Sequence, residues 1–205
     1  MGKMTENNHY QASEKDREDL DFVQKSLLRP DDFAMIIKKY REPLARYCFR
    51  LTGVDPEEIE DLLQEIFLKA YLNLNDFDQN LKFSSWIYRI AHNHCISYHR
   101  KNKARPQGWS SELTDEVAAK LAADFDLEKE VDALLLEEKI NVILDSLDKK
   151  YREVLVLKFI LGNNYQEISD IIKKPIGTVG SLINKAKKKF KSAWREKNLL
   201  ASGKI

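Results

Sequence analysis

The run Ile59-Glu60-Asp61-Leu62-Leu63-Gln64-Glu65-Ile66-Phe67-Leu68-Lys69-Ala70-Tyr71-Leu72-Asn73-Leu74 sets the secondary-structure class of the chain. Its apolar residues at 59, 62, 63, 66, 67, 70, 71 and 74 follow the three- and four-residue intervals of one helix face without a miss. The stripe predicts an amphipathic helix whose other side carries Glu60, Asp61, Gln64 and Glu65.

The same period extends in both directions. Upstream, Phe33, Ile36, Ile37, Tyr40, Leu44, Tyr47 and Leu51 form a stripe with Pro43 as a kink inside it and Gly53 as its stop. Downstream, Phe83, Trp86, Ile87, Ile90, Ala91, His94, Cys95 and Tyr98 repeat the spacing. From Lys103 to about Asp132 the pattern fades into Pro106, Gly108, serines and acids, which read as a linker. Helical spacing returns at Leu136, Ile140, Ile143, Leu144 and Leu147 and again at Tyr151, Val154, Leu155 and Phe159. After Gly162-Asn163-Asn164 comes a short helix from Tyr165 to Lys173. Asn164 is placed to cap it, and Glu167 three residues on completes a capping-box pair. Pro175-Ile176-Gly177 breaks the run before a longer helix from about Ile176 to Lys197. The fold class is therefore all-α, with two small helical domains joined by a flexible acidic linker.

Only 7 of the 205 residues are glycine, which argues against β-sandwiches and dinucleotide folds. Cys48 and Cys95 stand far apart and form no metal-ligand spacing, a pattern that fits a reducing cytosol. No apolar run approaches the roughly 18 residues that cross a bilayer, so membrane insertion is not expected. The net charge of +1 hides four blocks: −6 over residues 1–78, +6 over 79–111, −8 over 112–138 and +9 over 139–205.

Three constellations stand out. The helix after Pro175 turns Val179, Ile183, Ala186 and Phe190 inward and Thr178, Ser181, Lys185 and Lys188 outward, flanked by Asn184, which is the layout of a helix-turn-helix. Hydroxyls and amides near such a helix start reach base edges, and lysines further along pair with phosphates. The basic segment 79–111 interleaves aromatics with Arg89, Arg100, Lys101, Lys103 and Arg105, a composition suited to unstacked single strands. Within it Phe83, Trp86 and Tyr98 also read as core, and the Asn75 to Lys82 loop, with Gln79 and Asn80, is the better base-contact candidate. Third, the Glu60/Asp61/Gln64/Glu65 face reads either as a solvated surface or as a dock for a basic protein. Catalysis finds little support: His92 and His94, two apart on a helix, point to different sides, and no P-loop, GxSxG or HExxH pattern occurs. Neither a cofactor nor a metal is expected, and His94, on the apolar stripe, reads as a buried hydrogen-bonded histidine.

Glu60-Asp61-Leu62-Leu63-Gln64-Glu65-Ile66-Phe67 followed by Phe83-x-x-Trp86-Ile87-Tyr88-Arg89-Ile90-Ala91-x-Asn93 resembles region 2 of the extracytoplasmic-function (ECF) sigma factors of bacterial RNA polymerase. Leu147-x-x-x-Tyr151-Arg152-Glu153-Val154-Leu155, Tyr165-Gln166-Glu167-Ile168 and Gly177-Thr178-Val179-x-Ser181 are similar to region 4 of the same family. The resemblance implies a polar N-terminal extension at 1–21, region 2 at 22–105, an acidic linker at 106–132, region 4 at 133–197 and a tail at 198–205. It implies a cytoplasmic, non-enzymatic initiation factor whose partners are the polymerase core, at its clamp and flap, promoter DNA and an anti-sigma factor. Asp61, Leu62, Gln64, Glu65 and Phe67 would bind the core. Phe77, Gln79, Asn80, Lys82, Trp86, Arg89, Asn93 and Arg100 would take the melted minus-ten strand. Arg152, Thr178, Ser181, Asn184, Lys185 and Lys188 would read the minus-thirty-five duplex. Gly180 and Leu182 stand where the family usually has cations, and Ser97 where it usually has Asp. A stand-alone helix-turn-helix regulator is the alternative reading.

Overall fold

The computed structural model describes residues 13–102 and 133–201, with Ala123 and Phe125 between them. Eight α-helices and no strand occur among the described residues. The first four are α1 (Glu14–Leu28), α2 (Phe33–Thr52), α3 (Pro56–Leu72) and α4 (Phe83–Asn102). The other four are α5 (Ala133–Ser146), α6 (Lys149–Leu155), α7 (Tyr165–Ile172) and α8 (Ile176–Ala201).

Helices α1 to α4 form one bundle. Asp55 caps α3 by accepting from the Glu58 amide at 2.9 Å, with Pro56 in the first turn, where its missing N–H is harmless. Every member of the α3 stripe is buried except Tyr71, which lies edge-on to Phe33 with ring centroids 5.2 Å apart. Helix α2 runs through Pro43 uninterrupted and ends at Gly53, whose φ of 67° is the left-handed conformation a helix stop requires. The expected boundary at residue 21 falls inside a helix: α1 is capped by the Ser13/Asp16 capping box and packs on α2 and α4. Its anchor is Asp19, 1% exposed, which accepts from Tyr40 Oη at 2.6 Å and pairs with Lys39 Nζ at 2.7 Å. A buried carboxylate is tolerable when both a hydroxyl and an ammonium meet it.

Helices α5 to α8 form the second bundle around Ile140, Val154, Ile168, Val179, Ile183 and Phe190. Past Leu155 the helix widens into a π turn, Val156–Ile160, closed by the Leu161 amide donating to the Val156 carbonyl at 3.0 Å. The widened turn buries Val156, Leu157 and Phe159 together. Phe125, in the stretch expected to be linker, belongs to this core: it is 1% exposed, 4.6 Å from Phe190 and 5.2 Å from Phe159 by ring centroid. Apart from Ala123, the rest of the expected linker, the first twelve residues and the last four of the tail lie outside the described residues.

The two bundles pack directly on each other, α4 against α7 and α2 against α6. Arg50 of α2 donates to Asn141 Oδ1 of α5 at 3.4 Å, and Lys82, just ahead of α4, meets Glu167 of α7 at 2.5 Å. Both cysteines are free and buried, Cys48 on α2 and Cys95 on α4. The neighbouring Cys95 thiol, then burial, pushes the Cys48 thiol well above its ordinary range.

Candidate docking face and nucleic-acid interfaces

The exposed side of α3 holds Glu60, Asp61, Gln64 and Glu65 in one row, as its period dictates. Leu62 and Phe67, expected beside them, are 2% and 7% exposed and face the core, so they fix the helix rather than offer a surface. Alongside the row an apolar groove of about 370 Å³ opens between α2 and α3, with Phe33, Ile37, Leu63 and Leu68 in its walls. Arg41 bridges its rim, donating to both carboxylate oxygens of Glu60 at 2.8 Å. Leu68 and Leu72, exposed at 57% and 66%, extend this apolar surface. Neither residue was singled out by the stripe, because they sit off it; an unpaired leucine on a polar face is the signal that would have found them.

A polar pocket of about 440 Å³ lies between α3, the turn after it and α4. It gathers Arg89, Asn93 and His94 of α4 with Lys69, Asn73 and Asp76, which spacing within one helix could not bring in. Lys69 Nζ is 2.5 Å from His94 Nδ1, and Glu65 Oε2 is 3.4 Å from His94 Nε2, so a chain of polar groups runs from the α3 face to the pocket wall. Ser97 is on the rim and Trp86 in the lining. Phe77 and Trp86 are each 6% exposed and pack edge-on and tilted into a cluster with Phe83, centroids 5.3 to 5.5 Å apart. Phe77 therefore shapes the loop from within. Gln79 and Asn80 are exposed at its tip, where the Asn80 amide and side chain both donate to Asp78 Oδ1 at 2.9 Å. The Arg100 side chain lies outside the described residues.

On α4 the deeply buried histidine is His92, 7% exposed and bonded to Tyr47 Oη through Nδ1 at 2.9 Å. His94 is half-buried at the pocket. Burial, then the nearby Lys149 and Lys174 ammonium groups, pulls His92 down to about 4, so it is neutral at physiological pH. Those lysines belong to the other bundle, which is why the α4 pattern alone did not mark His92. Glu153, on α6, is pushed up to about 7 by burial, against the opposing pull of Lys149, Lys174 and Arg152.

The third surface is the α7–turn–α8 unit. Asn164 Oδ1 accepts from the Glu167 amide at 2.9 Å while Glu167 Oε2 accepts from the Asn164 amide at 2.8 Å, the reciprocal capping box expected from sequence. Lys173, with φ 52°, closes α7 in the left-handed conformation and sends the chain into α8. Val179, Ile183, Ala186 and Phe190 are buried, and Thr178, Ser181, Asn184, Lys185 and Lys188 are exposed on the opposite side. Arg152 is not on this surface. It is 8% exposed and donates through Nε to the Leu144 carbonyl at 2.9 Å and through Nη2 to the Asp145 carbonyl at 2.5 Å, satisfying carbonyls at the end of α5. Burial lowers its pKa from the ordinary guanidinium value, with Asp145 opposing.

Among the described residues, helices alone build a polar pocket in one bundle and a helix-turn-helix in the other, the layout of a two-site DNA-directing factor. Residues 36–105 match sigma-70 region 2, and residues 137–190 match sigma-70 region 4. The ECF RNA polymerase sigma factor SigW of Bacillus subtilis (strain 168) is 37% identical over 175 residues, covering 81% of this chain and 90% of that protein. The ECF RNA polymerase sigma-E factor of Escherichia coli (strain K12) is 31% identical over 162 residues, 76% of this chain and 82% of that protein. Among solved structures, CnrH in complex with the cytosolic domain of CnrY superposes with a TM-score of 0.60 at 21% identity, over 89% of this chain and 97% of that one. The sigma factor RpoE from Bartonella quintana, solved with the anti-sigma factor NepR, does so with 0.60 at 18% identity, over 80% and 97%. The chain belongs to the sigma-70 family, among the ECF RNA polymerase sigma factors. It is a transcription initiation factor that directs RNA polymerase to promoters, and the stand-alone regulator reading is not favoured because region 2 is present together with region 4. Sigma factors are non-catalytic, and no described helix is long and apolar enough to cross a membrane.

Proposed function

We propose that the three surfaces divide the work of initiation. The Asp61/Gln64/Glu65 row and the apolar groove beside it dock the clamp of core polymerase, with Leu62 and Phe67 holding α3 in place from the core side. The flap engages the region 4 bundle. The loop tip at Gln79 and Asn80, Lys82, and the pocket lined by Arg89 and Asn93 take the melted minus-ten strand, with Trp86 as pocket wall. Thr178, Ser181 and Asn184 reach base edges of the minus-thirty-five duplex while Lys185 and Lys188 pair with phosphates. Arg152 supports this surface through the α5 carbonyls rather than by touching DNA. The protein works in the cytoplasm, does no covalent chemistry of its own and is held in check by an anti-sigma partner.

The observation that carries this reading is the pairing, in one chain, of a polar pocket lined by Arg89 and Asn93 with an exposed helix-turn-helix face. Two weak contacts of different kinds on one tether gain affinity through effective concentration. The test is run-off transcription by cognate core polymerase on a fragmented genomic template. Specific transcripts are expected only with the protein added, and Asn93→Ala should abolish them while leaving core binding intact. A complete absence of specific transcripts with the wild-type protein overturns the reading.

A further inference from the structure

Lys82 occupies a junction of three elements. It sits at the end of the loop assigned to strand capture, with its carbonyl accepting the first-turn amide of Trp86 at 3.1 Å. Its ammonium lies 2.5 Å from Glu167 Oε1 on α7 and 3.9 Å from Asp16 Oδ2 on α1. Both acids are the third residues of capping boxes, so each is already fixed by its own helix start: Glu167 Oε2 holds the Asn164 amide at 2.8 Å, and Asp16 Oδ2 holds the Ser13 amide at 2.9 Å. The Lys82 and Glu167 side chains are 24% and 16% exposed, so the pair is shielded from solvent screening more than a surface ion pair is.

We propose that the Lys82–Glu167 pair is the latch of a closed state in which region 4 packs on region 2 and withholds Lys82 from the minus-ten strand. The inference rests on the assignment of the Asn75 to Lys82 loop to strand capture. A DNA phosphate and the Glu167 carboxylate compete for one ammonium, and a phosphate approaching the latched lysine meets two carboxylates of its own sign. Closure and strand capture are therefore mutually exclusive at this side chain. Packing of α7 on α4, with Lys149, Lys174 and Glu153 gathered near His92 and Tyr47, supplies the rest of the closed interface. The minus-thirty-five face of α8 stays exposed in this state, so the latch acts on the region 2 site alone.

Glu167→Gln separates the latch from the fold, because a glutamine at the third helical position sustains a capping box as glutamate does. Labels on cysteines introduced at the exposed positions Glu57 and Arg195 report the distance between the bundles, and anisotropy of a labelled random-sequence single-stranded DNA reports strand binding, both without polymerase. For Glu167→Gln the labels should separate and strand affinity should rise about tenfold, the cost of leaving one partner of a shielded ion pair unmet. Lys82→Gln, made as a second variant, should separate the labels equally but gain no strand affinity. An unchanged label distance in both variants overturns the latch. Separation without any gain in strand binding for Glu167→Gln overturns the competition for Lys82 and, with it, the assignment of the loop, leaving the interface contact itself in place.

Discussion

His92, buried, and Glu153, half-buried, lie near the same pair of lysines and titrate in opposite senses, and replacing one should expose the other. His92 is held at about 4 against its ordinary 6.5, so between those values the unfolded chain binds a proton that the native protein refuses. Stability from this source is present above pH 6.5 and is lost as pH falls toward 4. Glu153 is held at about 7 against its ordinary 4.5, so the native protein keeps a proton that the unfolded chain releases. Stability from that source is present below pH 4.5 and is lost as pH rises through 7. Each displacement corresponds to about 3 kcal/mol, and between roughly pH 4.5 and 6.5 the two slopes cancel. In Glu153→Gln the His92 slope stands alone, and relative to wild type the variant should gain about 3 kcal/mol on going from pH 4.5 to 6.5. In His92→Gln the opposite slope stands alone, and relative stability should fall by a similar amount from pH 4.5 to 7. The assay is urea unfolding at half-unit pH steps, comparing each variant with wild type so that all other carboxylates drop out of the difference. Parallel stability–pH curves for wild type and Glu153→Gln would refute the argument.

The other predictions concern single side chains. Arg152→Ala should lower stability by about 2–3 kcal/mol, since it strips two donors from carbonyls at the end of α5; loss of duplex binding at an unchanged melting temperature would instead put the arginine on DNA. Gly180→Ala should be stabilising by up to about 1 kcal/mol in thermal unfolding, because it removes a helix glycine and the added Cβ meets Tyr165 at an ordinary 3.6 Å. A drop in melting temperature would show that the tyrosine cannot accept that contact. Lys185→Ala and Lys188→Ala, measured by duplex binding over a range of salt, should each lower the salt slope by about one unit across unrelated sequences. An unchanged slope would make both lysines solvated bystanders.

Periodicity was a sound guide wherever one helix buries one face. The α3 stripe, the Gly53 stop and the Asn164/Glu167 capping box all follow from neighbours three or four residues apart, and the structure contains them. What periodicity could not reach was burial supplied from elsewhere in the chain. His92 is off the α4 stripe and is covered from outside its own bundle. Arg152 joined the minus-thirty-five residues by resemblance alone, and the end of α5 placed next to it takes up its guanidinium. Phe125 sits in an acidic, weakly periodic stretch, and only the ring cluster at Phe159 and Phe190 explains its burial. Asp19 belongs to a segment that read as polar overhang, and it becomes structural once Tyr40 and Lys39 face it. The pocket beside Arg89 and Asn93 was half legible for the same reason: α4 contributed its residues by spacing, whereas Lys69, Asn73 and Asp76 arrive on a different element.

Phe125 also sets a length. While its ring is seated between Phe159 and Phe190, the chain available to bridge from Asn102 to the second bundle ends at residue 125, which caps the separation of those two points at roughly 80 Å for a fully extended backbone. Unseating the ring moves that end to Ala133 and adds roughly 28 Å of reach, about the rise of eight base pairs of DNA. One phenylalanine thus sets the upper limit on the tether by which the two bundles are joined.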